Sequence, residues 1–93
     1  MTLVAKHLII SGLVQGVFFR AWTVETARSL GVQGWVRNCA NGDVEAVVQG
    51  DEEIVIRLIE KLWIGPPAAR VADIHIMDQA PADFTGFEKR ATA

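Results

Sequence analysis

Along this chain, apolar residues alternate with polar ones, then recur at helical spacing, then alternate again. Residues 6–13 read as a first strand, with Leu8, Ile10 and Gly12 on one face and His7, Ile9 and Ser11 on the other. Residues 21–30 read as a helix: Phe19, Thr23, Ala27 and Leu30 form one stripe, Trp22 lies beside it, and Glu25, Arg28 and Ser29 lie off it. Gly31 follows as a left-handed stop. Residues 32–38 and 43–50 read as two strands joined through Cys39-Ala40-Asn41-Gly42, whose Asn-Gly pair supplies the positive φ angles of a short hairpin. In the later strand Val44, Ala46 and Val48 alternate against Glu45, Val47 and Gln49. Asp51 is expected to cap a second helix, with Glu52 and Glu53 in its first turn and Ile54, Val55, Leu58, Ile59 and Leu62 as its buried stripe. Gly65-Pro66-Pro67 forbids continuation. Residues 71–77 read as a fourth strand with Ile74 and Ile76 inward, and residues 84–89 as a short terminal strand.

The order βαββαβ predicts an α+β, ferredoxin-like split βαβ sandwich: one antiparallel-rich sheet with two helices on one face. The strands flanking the first helix run parallel, another strand lies between them, and the crossover is right-handed. This plan hosts many functions, so function must come from a site.

Composition narrows the classes. The 93 residues suit a single domain, 1–93, and 51% hydrophobic with 22% charged residues describes a globular chain. A net charge of −2 argues against nucleic acid, which favours a basic patch, but permits a small anionic substrate in one focused positive pocket. Cys39 is the only cysteine, so there is no internal disulfide, which fits a reducing cytoplasm. No apolar run approaches the ~20 residues of a membrane span, and residues 1–6 lack the layout of a secretory signal. The chain stops at Ala93 without a linker, which favours a free-standing protein over a domain of a larger maturation enzyme.

No spacing recommends a Ser-His-Asp or Cys-His arrangement. His7 and His75 fall in the first and fourth strands as solvent-facing residues, and a metal pair there lacks a third ligand at a motif spacing. Asp43, Glu45, Asp51, Glu52 and Glu53 read as a hairpin edge and a helix start rather than a Mg²⁺ cluster. Cys39 reads as a small loop residue. Phe18, Phe19 and Trp22 resemble a stacking platform, but the helical spacing of Phe19 and Trp22 favours core packing.

The informative stretch is Gly12-Leu13-Val14-Gln15-Gly16-Val17-Phe18-Phe19-Arg20, where a strand gives way to a helix without Ser, Thr, Asp or Asn to cap it. Unpaired helical N–H groups, the positive end of the helix dipole and Arg20 would converge there as an anion site suited to phosphate. The competing reading is a tight turn with Arg20 solvated. Asn38, at the end of the second strand, carries both a donor and an acceptor and could hold a water beside a phosphate; the competing reading is a turn-forming Asn.

Gly12-x-Val14-Gln15-Gly16-Val17-x-Phe19-Arg20 resembles the first signature of the acylphosphatase family, and Gly34-Trp35-Val36-Arg37-Asn38-x-x-x-Gly42-x-Val44 followed by Gly50 resembles the second. Gly50-Asp51-Glu52 and Gly65-Pro66-Pro67-x-Ala69-x-Val71 are similar to the family as well, so the resemblance covers almost the whole chain. It implies hydrolysis of the carboxyl–phosphate mixed anhydride to a carboxylate and inorganic phosphate, without metal or cofactor. It implies that Arg20 binds the phosphate, that Asn38 orients the attacking water, and that backbone N–H groups of Gln15, Gly16, Val17, Phe18 and Phe19 hold the phosphate. The implied partners are the acyl phosphate and inorganic phosphate, with no nucleic acid or membrane. Lys89 stands where the terminal strand of the family has an apolar residue, which puts its edge pairing in doubt, and Trp63 and Ile64 stand where polar residues are usual; neither departure is expected to touch the site.

A non-catalytic ferredoxin-like module for protein or RNA is the alternative, supported by Ile9, Trp35 and Val47 on the outer sheet face. A monomer is expected. Ile56 and Trp63, seven residues apart on the second helix, form either an exposed patch suited to a weak dimer or a widening of the buried stripe.

Overall fold

The computed structural model describes residues 2–93. Strand β1 (Leu3–Leu13) leads through a turn into helix α1 (Phe19–Leu30). Strands β2 (Gln33–Asn38) and β3 (Val44–Asp51) form the hairpin, helix α2 (Glu52–Ile64) follows, and strands β4 (Arg70–Gln79) and β5 (Phe87–Lys89) complete the chain. The sheet order is β4-β1-β3-β2-β5, antiparallel throughout except for β2 with β5. Strand β3 therefore sits between the parallel β1 and β2, as the split βαβ plan requires. Both helices pack on the sheet and on each other. Leu8, Ile10, Val36, Val44, Ala46 and Val48 of the sheet meet Phe19, Ala27, Val55, Leu58 and Leu62 of the helices in one core. Burial of aliphatic side chains like these contributes roughly 1.5–3 kcal/mol each.

Several expectations are corrected. Asp51 occupies the N-cap position of α2, but its side chain caps nothing. Its Oδ1 accepts from the Thr2 backbone N–H at 3.3 Å, while Glu52 N–H donates to the Thr2 carbonyl at 2.8 Å. Chain entry into β1, not the Asp51 carboxylate, satisfies the first donor of α2. Ile76 shares the face of Ile74 yet is 44% exposed, because the far end of β4 lies on the edge strand. Edge pairing of β5 holds despite Lys89: Gly34 pairs with Phe87, Trp35 with Glu88 and Val36 with Lys89. Ile56 and Trp63 are both exposed, so they form a patch rather than a wider stripe.

The outer sheet face is not an open apolar platform. Trp35 and Val47 are 9% and 2% exposed. The guanidinium groups of Arg37 and Arg90 lie 4.9 and 4.7 Å from the Trp35 ring centroid. His7, expected to face solvent, is instead half-buried, with Nε2 2.6 Å from Glu45 Oε2, while Arg37 Nε donates to Glu45 Oε1 at 2.6 Å. Burial would raise the Glu45 carboxyl, but hydrogen bonds from His7 and Arg37 outweigh it and hold it below its ordinary value of 4.5. That stabilisation is present above the ordinary carboxyl range and is lost as pH falls through the depressed value. Glu45→Gln is expected to cost about 1.5–3 kcal/mol at pH 7, the size of hydrogen bonds to a charged group. The difference should shrink in acid. Denaturant melts of both proteins at pH 7 and pH 3 check this; an equal difference at both would remove the ion pair from the account.

Candidate active site

The turn between β1 and α1 is built around two left-handed residues. Gly16 has φ 73°, which glycine adopts freely. Phe18 has φ 63° and ψ 20° at the N-cap of α1 and is 82% exposed. A non-glycine residue held in this conformation costs of order 1–3 kcal/mol and needs surrounding structure to hold it. Upstream, β1 bulges between Ser11 and Gly12, and a Cβ at Gly12 would collide with the Arg70 carbonyl oxygen. Downstream, Phe19 is 1% exposed and anchors the helix start in the core.

The conformation turns backbone donors inward. A left-handed residue followed by a helical one aligns successive N–H groups into an anion-binding concavity. No side chain caps α1, and outside the helices and strands no backbone hydrogen bond among the described residues has its donor between positions 15 and 21. The contrast with α2 is instructive. Two acids, Glu52 and Glu53, fill the first turn of α2, whereas α1 has none there and carries Arg20 instead. A cation at a helix N-terminus opposes the dipole, and a bound anion would offset that repulsion.

A cavity of ≈ 250 Å³ opens against this turn, lined by Val14, Gly16, Phe18, Phe19, Arg20, Ala21 and Lys89. Among the described residues no carboxylate forms a salt bridge with Arg20 or Lys89. Two cations and an uncapped helix start thus line one hollow in a chain of net charge −2.

Of the residues singled out from sequence, Gly16, Phe18, Phe19 and Arg20 line the cavity, and Gln15, Val17 and Asn38 do not. The Gln15 side chain points away and ties the turn to the hairpin: its Nε2 donates to the carbonyls of Cys39 and Asp43, both at 2.8 Å. The hairpin loop thereby folds over the sheet end, bringing the segment after Asn38 against the turn. Asn38 is fixed by its backbone. It pairs with Val44 on one side and accepts from Ala93 N–H at 3.1 Å on the other, while Ala40 N–H donates to the Ala93 carbonyl at 3.1 Å. Its side-chain Oδ1 is buried with no partner among the described residues. A buried acceptor left open is costly unless something else occupies it.

Lys89 is the residue that sequence reading put outside the site and the structure places in its wall. The signal was available: period two from the inward-facing Phe87 places Lys89 on the helix side of β5. Cys39 lies beside the hairpin turn, half-buried. Burial, then the Glu45 and Asp43 carboxylates, push its thiol up against the opposing pull of Arg37. His7 and His75 lie on one sheet face, opposite Met77 and Ile9, and among the described residues no three His, Cys, Asp or Glu side chains converge as metal ligands. Among the described residues no helix is long and apolar enough to cross a membrane.

An uncapped, acid-free helix start facing a cationic hollow at the end of a split βαβ sheet marks a small α+β fold with a cavity suited to an anion. The acylphosphatase family profile matches residues 6–89. A protein from Acidiphilium cryptum named acylphosphatase is 51% identical over 90 residues, 97% of this chain and 99% of that one. One of the same name from Bifidobacterium longum is 51% identical over 83 residues, 89% of this chain and 86% of the other. The structure of an acylphosphatase from Coxiella burnetii superposes with a TM-score of 0.91 at 39% identity, covering 95% of this chain and 93% of that one. The chain belongs to the acylphosphatase family.

Proposed function

We propose that this protein hydrolyses the carboxyl–phosphate bond of acyl phosphates, releasing a carboxylate and inorganic phosphate without a metal ion. The observation that carries the reading is the start of α1: uncapped, free of acids, turned inward by Phe18 and bearing Arg20. Backbone N–H groups of residues 15–19 and the Arg20 guanidinium hold the phosphoryl oxygens. Asn38, at the end of β2, orients the attacking water.

The chemistry suits so small a set. The leaving carboxylate has a conjugate acid of pKa near ~4–5, judged from Asp and Glu, so it departs without a general acid. The transferring phosphoryl group spreads its charge over equatorial oxygens, where fixed donors and a guanidinium lower the barrier by positioning and electrostatics. The water loses its proton late, to a phosphoryl oxygen, so no dedicated base is required. A cytoplasmic monomer that binds no nucleic acid completes the reading; the lone Cys39 and the acidic net charge support it.

The test is the fall in ultraviolet absorbance as benzoyl phosphate is hydrolysed, with and without a metal chelator. Equal turnover in both arms is expected. Absence of turnover sinks the activity, and loss of turnover on chelation sinks the metal-free mechanism. Inorganic phosphate should bind the same turn and raise the melting temperature, by about 2.7 kcal/mol of stability at a hundredfold excess over its dissociation constant. A melting temperature no more responsive to phosphate than to chloride of matched ionic strength would contradict the anion site.

A further inference from the structure

The turn before α1 contributes most of the cavity lining, and Lys89, from β5, completes it. Strand β5 runs parallel to β2, with Lys89 beside Val36, so it reaches the same sheet end as Asn38. Two hollows adjoin the cavity on α1, sharing lining residues with it. One, of ≈ 430 Å³, is lined by Val17, Phe18, Ala21, Trp22, Glu25 and residues 66–68. It is apolar apart from one carboxylate. The other, of ≈ 450 Å³, is lined by Ala21, Val24, Glu25, Arg28 and Lys89. There two cations outweigh one acid. Arg28 is held in place by its Nε donating to the Phe87 carbonyl at 3.1 Å, and Lys89 is shared with the phosphate cavity.

An acyl phosphate seated with its phosphoryl group at Arg20 must send its acyl portion along one of these paths. A neutral acyl chain gains most by covering apolar surface beside Phe18 and Trp22. An acyl chain ending in a negative charge is repelled there by Glu25 and drawn past Lys89 by two positive charges. We propose that Lys89 is a specificity-determining residue, which selects acyl phosphates whose acyl portion carries a second anionic group. The proposal rests on the acyl phosphatase reading of the cavity and deepens it: phosphate is held by the turn and Arg20, and the distal anion by Lys89 with Arg28 behind it.

The experiment is direct binding, independent of turnover. Phenacylphosphonate replaces the bridging oxygen of benzoyl phosphate by a methylene and is not hydrolysed; its para-carboxy derivative adds the second anion. Titration calorimetry on the wild type is expected to show the carboxy derivative binding about 3–5-fold tighter, the scale of one solvent-accessible charge pair. The preference should fade toward 1 M salt, where the Debye length is about 3 Å. Lys89→Gln should erase most of the preference, and Lys89→Glu should reverse it. Arg57→Gln, which removes the same charge from α2, should leave the preference unchanged. A wild type without preference, a preference surviving Lys89→Gln, or an equal loss in Arg57→Gln would each overturn the proposal. If the binding preference follows Lys89 but benzoyl phosphate is not hydrolysed, the activity alone fails. If hydrolysis proceeds and the preference is absent, the specificity alone fails.

Discussion

Arg20→Lys is expected to lose at least about a hundredfold in turnover and to weaken phosphate binding, with the fold unchanged. Lysine keeps the charge but offers a compact ammonium in place of a planar two-pronged donor. Losing one preorganised hydrogen-bonding group at a developing charge typically costs 10²–10³-fold. Lys89, also in the cavity lining, cannot compensate, because it enters from β5 and not from the helix start. The same position makes a further demand on stability. Arg20 sits against the positive end of α1 with no acid in that turn. Arg20→Gln should therefore melt at or above the wild type without anion, by up to about 1 kcal/mol, and below it once phosphate is added. Steady-state kinetics and paired melts read both effects. Wild-type turnover in Arg20→Lys would leave Arg20 a solvated surface residue.

Asn38→Ala should separate chemistry from binding. A side chain that orients water touches the phosphate little in the ground state, so its loss should lower kcat far more than it raises KM. Phosphate affinity should stay within a few-fold while turnover falls by ~10²–10³. The structure sharpens the contrast with a turn-forming role. Asn38 is held by backbone bonds that alanine keeps, and its Oδ1 is buried without a partner. Truncation then removes an open acceptor whose burial costs about 1–3 kcal/mol, so stability should hold or rise. A turn-forming side chain would instead show a loss of up to about 1–2 kcal/mol and unaltered turnover per folded molecule. Circular dichroism, phosphate titration and kinetics on this single variant distinguish the two.

The fold was legible because its local signals agree with one another: Gly31, the Asn-Gly pair and Gly65-Pro66-Pro67 each end an element where the period of the apolar pattern changes. What escaped depended on distant partners. Thr2 completes the start of α2, where Asp51 looks sufficient in sequence. His7 is half-buried because Glu45 and Arg37 arrive from β3 and β2. The turn of the site was legible through a missing cap, yet its geometry depends on an amide, Gln15, reaching two carbonyls of another loop. No local pattern reports such a tether. Lys89 stands where the family has an apolar residue and so reads as lying outside the site, although its parity with Phe87 aims it to the helix side.

Strand β1 lies between β3 and β4, with Ala5 opposite Gln49 and Gln79 across much of the chain. Such pairings repay loop-closure entropy only late in the search for the native state, so this topology predicts slow folding for a domain of its size. The anion turn leaves β1 next to Arg70 and is tied to the hairpin by Gln15, so it takes shape only after both neighbours have docked. Added phosphate should accordingly retard unfolding and leave the refolding rate almost untouched, because it binds nothing that exists at the barrier.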